Sequence, residues 1–219
     1  MTASIHIQNL SRTLGAKKIL DGINLSLEDG ERLALCGPSG AGKTTLLRIL
    51  AGLEPADSGT IQIRGQLASK GSKVVIPPWK RNLQMVFQDL GLWPTRTVLR
   101  NVSDALRAAG RSKAIAESSA RTMLDRLGIL SLADRKPATL SGGEARRLAF
   151  ARALALEPKI LLLDEPFASL DPEARQQGQL LLEEILTHTK ATLILVTHDA
   201  DEAKRLGGQS LNLHDGQLS

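Results

Sequence analysis

A chain of 219 residues fits one domain, or one domain carrying an inserted lobe, and is long enough to bury a core of its own. With 42% hydrophobic and 23% charged residues its composition is that of an ordinary globular protein, and its single cysteine excludes an internal disulfide framework and a zinc–cysteine cluster. The net charge of +5, from 28 Lys and Arg against 23 Asp and Glu, would suit a polyanionic ligand or an anionic membrane surface, but it is mild for this length, and most of these charges read as solvated surface.

The first residues, MTASIHIQNLSR (1–12), lack the apolar stretch of a signal peptide, and no apolar run approaches the ~18 residues of a membrane span. The chain is therefore expected to stay where it is made, in a reducing cytosol. The opening third reads as strands: SIHIQNL (4–10), INLSL (23–27) and TIQIRG (60–65) alternate, with turns marked by Gly22, Asp29-Gly30 and Ser58-Gly59. Between them RLALCG (32–37) is a short apolar run that ends on a glycine, which makes Cys36 a buried small hydrophobe. The helix pattern KTTLLRILAGL (43–53) follows. From about Thr97 to Leu156 the pattern is helical: TVLRNVSDALRAAG (97–110), KAIAESSARTMLDRLGI (113–129) and EARRLAFARALAL (144–156) space their apolar residues by three and four. Gly110 and Gly128 fall near helix ends, and Pro137 and Pro158 interrupt. The last third returns to buried strands, KILLLDE (159–165) and ATLILVTHD (191–199), near-continuous apolar runs of the kind expected for parallel strands covered on both faces. The helix pattern PEARQQGQLLLEEILTHT (172–189) lies between them, and QSLNLHDGQLS (209–219) reads as a terminal hairpin turning at Asp215-Gly216.

Strand, glycine loop and helix in that order are what a phosphate-binding loop requires. In GPSGAGKTT (37–45), Gly37, Gly42, Lys43 and Thr44 satisfy G-x-x-x-x-G-K-[ST], with Pro38, Ser39, Gly40 and Ala41 filling the loop and Thr45 following it. Glycines permit the turns that aim successive N–H groups at phosphate oxygens. Lys43 supplies a point charge to the β- and γ-phosphates, the Thr44 hydroxyl suits Mg²⁺, and the helix adds its positive end. By itself the motif says only that a nucleoside triphosphate binds.

In ILLLDEP (160–166) four apolar residues deliver two carboxylates to the C-terminal end of a strand, where ligands sit in an open α/β sheet. Asp164 would hold Mg²⁺, directly or through water, and Glu165 would orient or deprotonate the attacking water. A strand followed by a polar turn looks the same, so the pair gains its meaning from the phosphate loop. LVTHD (195–199) ends another buried strand in the same fashion. His198 could hydrogen-bond the γ-phosphate or the attacking water, or be a polar residue leaving the core. His6, His188 and His214 have no such context.

A second glycine motif, TLSGGEARRLAF (139–150), opens a helix. Ser141 as N-cap and Glu144 at N3 spell a capping box. That leaves Gly142 and Gly143 unexplained, since each weakens a helix by roughly 1 kcal/mol. A backbone that something must approach closely explains them, and a phosphate is the natural candidate at a helix N-terminus.

Taken together, GPSGAGKTT (37–45), Gln88 in VFQDLGLWP (86–94), LSGGE (140–144), ILLLDEP (160–166), SLD (169–171) and His198 occur in the order found in ATP-binding cassette ATPases, and the sequence resembles that family over nearly its whole length. The resemblance implies an α/β P-loop NTPase fold: a RecA-like core with an antiparallel β subdomain, from about 1–92 and 158–219, and an inserted helical subdomain over 93–157. It implies ATP and Mg²⁺ as ligands, and two cassettes facing head to tail with each ATP held between one subunit's phosphate loop and the other's LSGGQ-type motif. Position by position, Gln88 would sense Mg²⁺, beside Thr44 and Asp164, and couple to a membrane partner. Leu140, Ser141, Gly142, Gly143 and Glu144 would form the signature motif, with Ser141, Gly142 and Gly143 on the γ-phosphate across the interface. Ser169, Leu170 and Asp171 would form the D-loop linking the two sites. Glu165 would be the catalytic base and His198 the switch histidine, with Lys43 as the third catalytic group. Two departures from the family pattern stand out. Where such cassettes carry an aromatic to stack on adenine, NLSRTLGAKK (9–18) offers Leu14, and no aromatic precedes Trp79. Where they carry Gln, this chain has Glu144, which suits the helix's positive end but competes with phosphate for the same donors.

The segment 76–102 looks like those of bacterial importer cassettes for sugars, polyamines or metal ions, with a groove near Gln88 and the helical lobe receiving a short helix from the membrane subunit. The resemblance thus implies an energy-supplying importer subunit, peripheral on the cytoplasmic face of the plasma membrane. Its expected partners are a second copy or a paralogous cassette, integral-membrane permease subunits on separate chains, and a solute-binding protein, with no nucleic acid. Ending soon after Asp215-Gly216, the chain is expected to lack the C-terminal regulatory domain of some importer ATPases. A cassette of an exporter, lipoprotein-release or division complex would share these motifs. A soluble repair or translation cassette would usually carry coiled coils, zinc cysteines or tandem cassettes. A P-loop kinase or GTPase would leave the Ser141–Glu144 motif unexplained and lacks the guanine-reading N-K-x-D.

Overall fold

Residues 3–168, 170 and 172–219 are described by the computed structural model, and they group into two compact units. The first comprises Met1–Met85, Lys159–Glu165 and Lys190–Ser219. It contains a five-stranded antiparallel sheet with the order β2-β1-β4-β5-β6, where β1 is Ile5–Leu14, β2 Lys17–Leu27, β4 Ser58–Ile63, β5 Gln66–Lys70 and β6 Lys73–Val74. Register follows from the apolar alternation: Ile5 faces Leu27 on one side and Ile63 on the other, and Ile7 faces Leu25 and Ile61. A slip by one residue would turn these buried side chains to solvent.

The other sheet has the order β11-β10-β3-β9-β8-β7, with β3 Arg32–Cys36, β7 Leu83–Val86, β8 Ile160–Asp164, β9 Thr192–Val196, β10 Gln209–His214 and β11 Gln217–Leu218. β10, β3, β9 and β8 run parallel. Every residue of β8 and β9 is buried, which is why these strands are continuous apolar runs. Helix α1, Lys43–Ala51, buries Leu46, Leu47, Ile49 and Leu50 in one core with Ile5, Ile61, Leu162 and Ile194 from the two sheets. A short helix, α6 (Ala200–Leu206), packs on β3 and starts at Asp199, whose carboxylate accepts the N–H groups of Asp201 and Glu202. Cys36 ends β3 half-buried, and burial pushes its thiol up.

The second unit comprises Val86–Pro158 and Pro166–Thr189, with helices α2 (Val98–Ala108), α3 (Lys113–Arg126), α4 (Gly142–Leu154) and α5 (Pro172–Thr189). Thr97 and Ser112 cap α2 and α3 through their side chains. Val98, Val102, Leu106, Ala116, Ala120, Leu124 and Leu148 are buried. The contacts therefore group α5 with the helices, whereas the sequence pattern placed 172–189 with the sheet core. Strands β5, β6 and β7 and helix α6 have no counterpart in the sequence reading, because each is too short to establish a period.

Candidate functional site

The phosphate loop joins β3 to α1, and its outer glycines are required by packing. At Gly37, with φ 134°, a Cβ would lie 2.2 Å from the Leu213 carbonyl oxygen; at Gly42, with φ 103°, it would lie 2.6 Å from Ile19 Cγ2. Gly42 is also the N-cap of α1 and gives it no side-chain acceptor, so the first turn's N–H groups present themselves as an anion site. Lys43 is buried at 6% exposure, and its Nζ donates to the Gly37 and Pro38 carbonyls at 2.7 and 2.8 Å. Two of its three N–H bonds anchor it to the loop and the third is left for a ligand. Pro38, Ser39, Gly40 and Ala41 line a cavity of about 190 Å³ whose other wall is Lys17, Lys18, Asp215 and Gly216. Thr45 lies half-buried in the first turn of α1.

Asp164 closes β8 at 2% exposure, and Thr44 Oγ1 donates to its Oδ1 at 3.1 Å. Burial pushes the Asp164 carboxyl above the usual range and the Glu165 charge adds to this, while the Thr44 hydrogen bond, Arg48 and Lys43 pull the other way. A hydroxyl and a carboxylate so close together are the hard oxygen donors that Mg²⁺ takes, with water and phosphate completing its shell. Among the described residues no His/Cys/Asp/Glu cluster could hold a metal unaided, so the pair fits an ion that arrives with a phosphate. Below the ordinary Asp range the carboxyl is neutral folded or unfolded; above its raised folded value the buried charge destabilises the fold. Asp164→Asn is accordingly expected to raise the melting temperature at neutral pH by about 2–4 °C, the effect of ~1 kcal/mol in a chain of this size. The gain should vanish as pH falls through the ordinary Asp range, and a scanning-calorimetry pH series checks it.

Glu165 follows Asp164 in the left-handed region, with φ 47°, and its N–H donates to the Val196 carbonyl at 3.0 Å. A non-glycine residue held there is a local strain of the sort found at reactive sites. Its Oε1 lies 3.9 Å from His198 Nδ1 at the end of β9, with the glutamate side chain 25% and the histidine 66% exposed. One water molecule could touch both. The peptides flanking His198 are tied down: Thr197 Oγ1 donates to buried Glu202 Oε2 at 2.6 Å and accepts the Asp199 N–H at 3.0 Å. The sequence reading passed over Glu202, Lys17 and Lys18; the E-A after T-H-D looks like any helix start.

In the second unit, α4 begins at Gly142 with both halves of the capping box formed: Ser141 Oγ accepts the Glu144 N–H at 3.3 Å, and Glu144 Oε2 accepts the Ser141 N–H at 2.7 Å. That backbone bond holds the Glu144 carboxyl below the usual range. Glu144 therefore takes the donor of Ser141. Among the described residues, a Cβ at Gly142 or Gly143 would meet no atom within 4 Å beyond its chain neighbours and its own helix backbone, so no described contact requires glycine there. Leu140 and Leu170 are half-buried. Gln88 stands exposed in the turn after β7. Arg152 of α4 holds the loop that follows it, donating to Gly91 O at 2.7 Å and Leu90 O at 3.0 Å and lying 5.3 Å from the centre of the Trp93 ring. Thus Lys43, Thr44, Asp164, Glu165 and His198 come together in the first unit, and Gln88, Leu140 to Glu144 and Leu170 belong to the second. Ser169 and Asp171 lie outside the described residues.

Known proteins resemble this chain over nearly its whole length. The sulfate/thiosulfate import ATP-binding protein CysA of Bordetella parapertussis is 42% identical over 219 residues, covering 98% of this chain and 60% of that protein. The Escherichia coli K12 protein described as the uncharacterized ABC transporter ATP-binding protein YdcT is 39% identical over 218 residues, 100% of this chain and 63% of that protein. The chain thus spans somewhat under two thirds of the length of these relatives. A probable CysA of Chlorella vulgaris, 40% identical over 215 residues, is covered to 89%. Among solved structures, the dimeric post-hydrolysis state of the ATP-binding cassette MJ0796 bound to ADP and Pi superposes with a TM-score of 0.87 at 29% identity, covering 98% of this chain and 96% of that one. That match shows the P-loop NTPase cassette fold, and the family model described as ABC transporter matches residues 20–168. The chain belongs to the ABC transporter family.

Proposed function

We propose that this chain hydrolyses ATP to power a membrane transporter, most simply a solute importer, and that it works as a pair of cassettes on the cytoplasmic face of the membrane. The observation that carries the proposal is the meeting of a buried P-loop lysine, a Thr44–Asp164 pair, and a Glu165–His198 pair at adjacent strand ends. Lys43 neutralises phosphate charge with its remaining N–H. Glu165 accepts the proton of the attacking water, and His198, fixed through Thr197 and Glu202, orients that water or the γ-phosphate. Thr44 and Asp164 would hold Mg²⁺, which when bound supplies charge neutralisation on the phosphates. Leu140, Ser141, Gly142, Gly143 and Glu144 would serve the ATP of a partner cassette, with Ser169, Leu170 and Asp171 joining the two sites. Among the described residues no helix is long and apolar enough to cross a membrane, and on this reading partner subunits supply the spans. Import is favoured because several relatives carry the name of sulfate/thiosulfate import proteins, which makes an oxyanion the first cargo to test. Affinity purification from native membranes tests the whole: a co-purifying polytopic permease with ATPase activity supports it, and a purely soluble complex overturns it.

Two further outcomes are expected. Leu14 ends β1, 44% exposed, opposite Lys17 in the β1–β2 hairpin. As an aliphatic side chain it forgoes aromatic stacking on the base, worth ~1–3 kcal/mol in nucleic-acid sites. Leu14→Tyr should tighten ATP binding by about tenfold and sharpen discrimination among purine triphosphates, as read by titration with fluorescent ATP and GTP analogues; unchanged affinity would remove Leu14 from the base site. Gly142→Ala should stabilise the isolated chain by roughly 0.5–1 kcal/mol, because alanine is the better helix former. The same methyl group should abolish ATP-driven pairing by blocking the approach of phosphate. Denaturation and light scattering on one sample read the two effects, and a variant that still pairs would make Ser141–Glu144 a helix cap alone.

A further inference from the structure

Nothing in the proposed ATP chemistry uses the groove between α2 and α3 in the second unit. Its volume is about 890 Å³, well above the roughly 190 Å³ beside the phosphate loop and within the ~300–1,000 Å³ range of small-molecule sites. Its walls carry five cations, Arg96, Arg100, Arg107, Lys113 and Arg121, against three carboxylates. Asp104 reaches Arg96 at 3.3 Å and Arg107 at 3.9 Å, and Glu117 reaches Arg121 at 3.2 Å. These carboxylates hold three of the guanidinium groups in position. Arg100 and Lys113, one from each helix, have no carboxylate within 4.0 Å among the described residues. Ser103, buried at 8% exposure, adds a hydroxyl to the lining.

The end of α2 does not supply the attraction. The Val98 and Leu99 N–H groups are taken by the Arg135 and Ala133 carbonyls at 2.8 and 2.9 Å, and Thr97 Oγ1 takes the Arg100 N–H at 3.2 Å. Recognition must therefore come from side-chain charge. Planar guanidinium forks suit phosphate oxygens, and an ammonium suits them as a point charge. Cations on both walls call for a ligand with more than one negative group. We propose that the α2–α3 groove is a binding site for a polyanionic phosphate ligand, separate from the ATP site, with Arg100 and Lys113 making the decisive contacts. The phosphates can come from a soluble polyphosphorylated molecule or from lipid headgroups.

The probes are inorganic tripolyphosphate without Mg²⁺, followed by calorimetry, and sedimentation with phosphatidylcholine vesicles with or without phosphatidylglycerol. Because the phosphate loop also takes tripolyphosphate, the parent is compared with Lys43→Ala and with Arg100→Ala/Lys113→Ala. The expected result is binding to Lys43→Ala that survives loss of the loop lysine, and a loss of about tenfold or more at that second site in the double variant. Tripolyphosphate binding alone identifies a soluble ligand, and vesicle binding that needs phosphatidylglycerol identifies headgroups; either supports the proposal when the double variant loses it. Lys43→Ala binding neither probe, or a double variant with the parent's melting temperature and undiminished binding of both, overturns it.

Discussion

Glu165→Gln is expected to lower ATP turnover by at least ~100-fold, the least that a positioned general base contributes, while ATP binding stays near the parent's level. The substitution keeps the side chain's size and one of its oxygens. It also leaves untouched the backbone bond from Glu165 N–H to Val196 O, 3.0 Å long, that holds this residue at φ 47°. What glutamine cannot do is accept a proton. Asp164 remains bonded to Thr44, and Lys43 remains anchored by Gly37 and Pro38. If the second glycine motif serves a partner's ATP, unhydrolysed ATP should hold two chains together, and the variant should elute as a stable dimer in ATP and a monomer without it. Phosphate release and light scattering measure the two halves of this prediction. Turnover within about threefold of the parent would remove Glu165 as the base, since so small a change is under 1 kcal/mol in the barrier. Lost turnover without a dimer would keep the base and remove the shared-site reading of Ser141 to Gly143.

The parts of the site that were legible in the sequence are those whose geometry is local. G-x-x-x-x-G-K-T fixes a loop by chain connectivity, and a run of buried residues such as ILLL delivers the next side chains to a strand end whatever the rest of the fold does. The capping box of Ser141 and Glu144 is likewise a matter of three residues' spacing, and it is formed as read. Through-space requirements were not legible. Gly37 is legible as the first glycine of the motif, but that no side chain fits there is seen only when the Leu213 carbonyl oxygen is brought within 2.2 Å of where its Cβ would be. Glu202 is an unremarked acid in a helix start until Thr197 hands it a hydrogen bond beneath His198. The antiparallel sheet was read in part, from Ile5, Ile23 and Ile61, but QLASK and LQMV are too short and too mixed to announce β5 and β7.

Arg81 is where sequence and fold diverge most, and where the largest loss of stability is expected. In IPPWKR it looks like a surface cation beside Lys80. In the fold it is 2% exposed. Its guanidinium donates to Ile76 O at 2.9 Å, Ile49 O at 3.3 Å, Leu50 O at 2.5 Å, Ala68 O at 3.2 Å and Ser69 Oγ at 2.7 Å. Ile49 and Leu50 lie in the last turn of α1, where the Ile49 carbonyl also accepts the Gly52 N–H at 3.0 Å, so one side chain fastens that helix end to β5 and the loop ahead of β7. Burial pulls the Arg81 pKa down to about 10, and among the described residues no carboxylate pairs with it. Four carbonyls and the Ser69 hydroxyl hold the charge. Gly52 caps α1 directly against it, with a Cβ there 2.6 Å from the guanidinium carbon, so the pocket is shaped for this group. Arg81→Ala would leave a cavity and strand the Leu50 and Ile76 carbonyls, each costing ~1–3 kcal/mol. The expected loss is about 3–5 kcal/mol, or roughly 10 °C in melting temperature. Arg81→Met, which restores volume without donors, should recover only the packing share, and Arg81→Lys should recover only those carbonyls that one ammonium can reach. Urea denaturation of the three variants measures the ordering. A loss under ~1 kcal/mol for alanine, or a methionine variant as stable as the parent, would mean that the guanidinium fills space and its five hydrogen bonds add nothing.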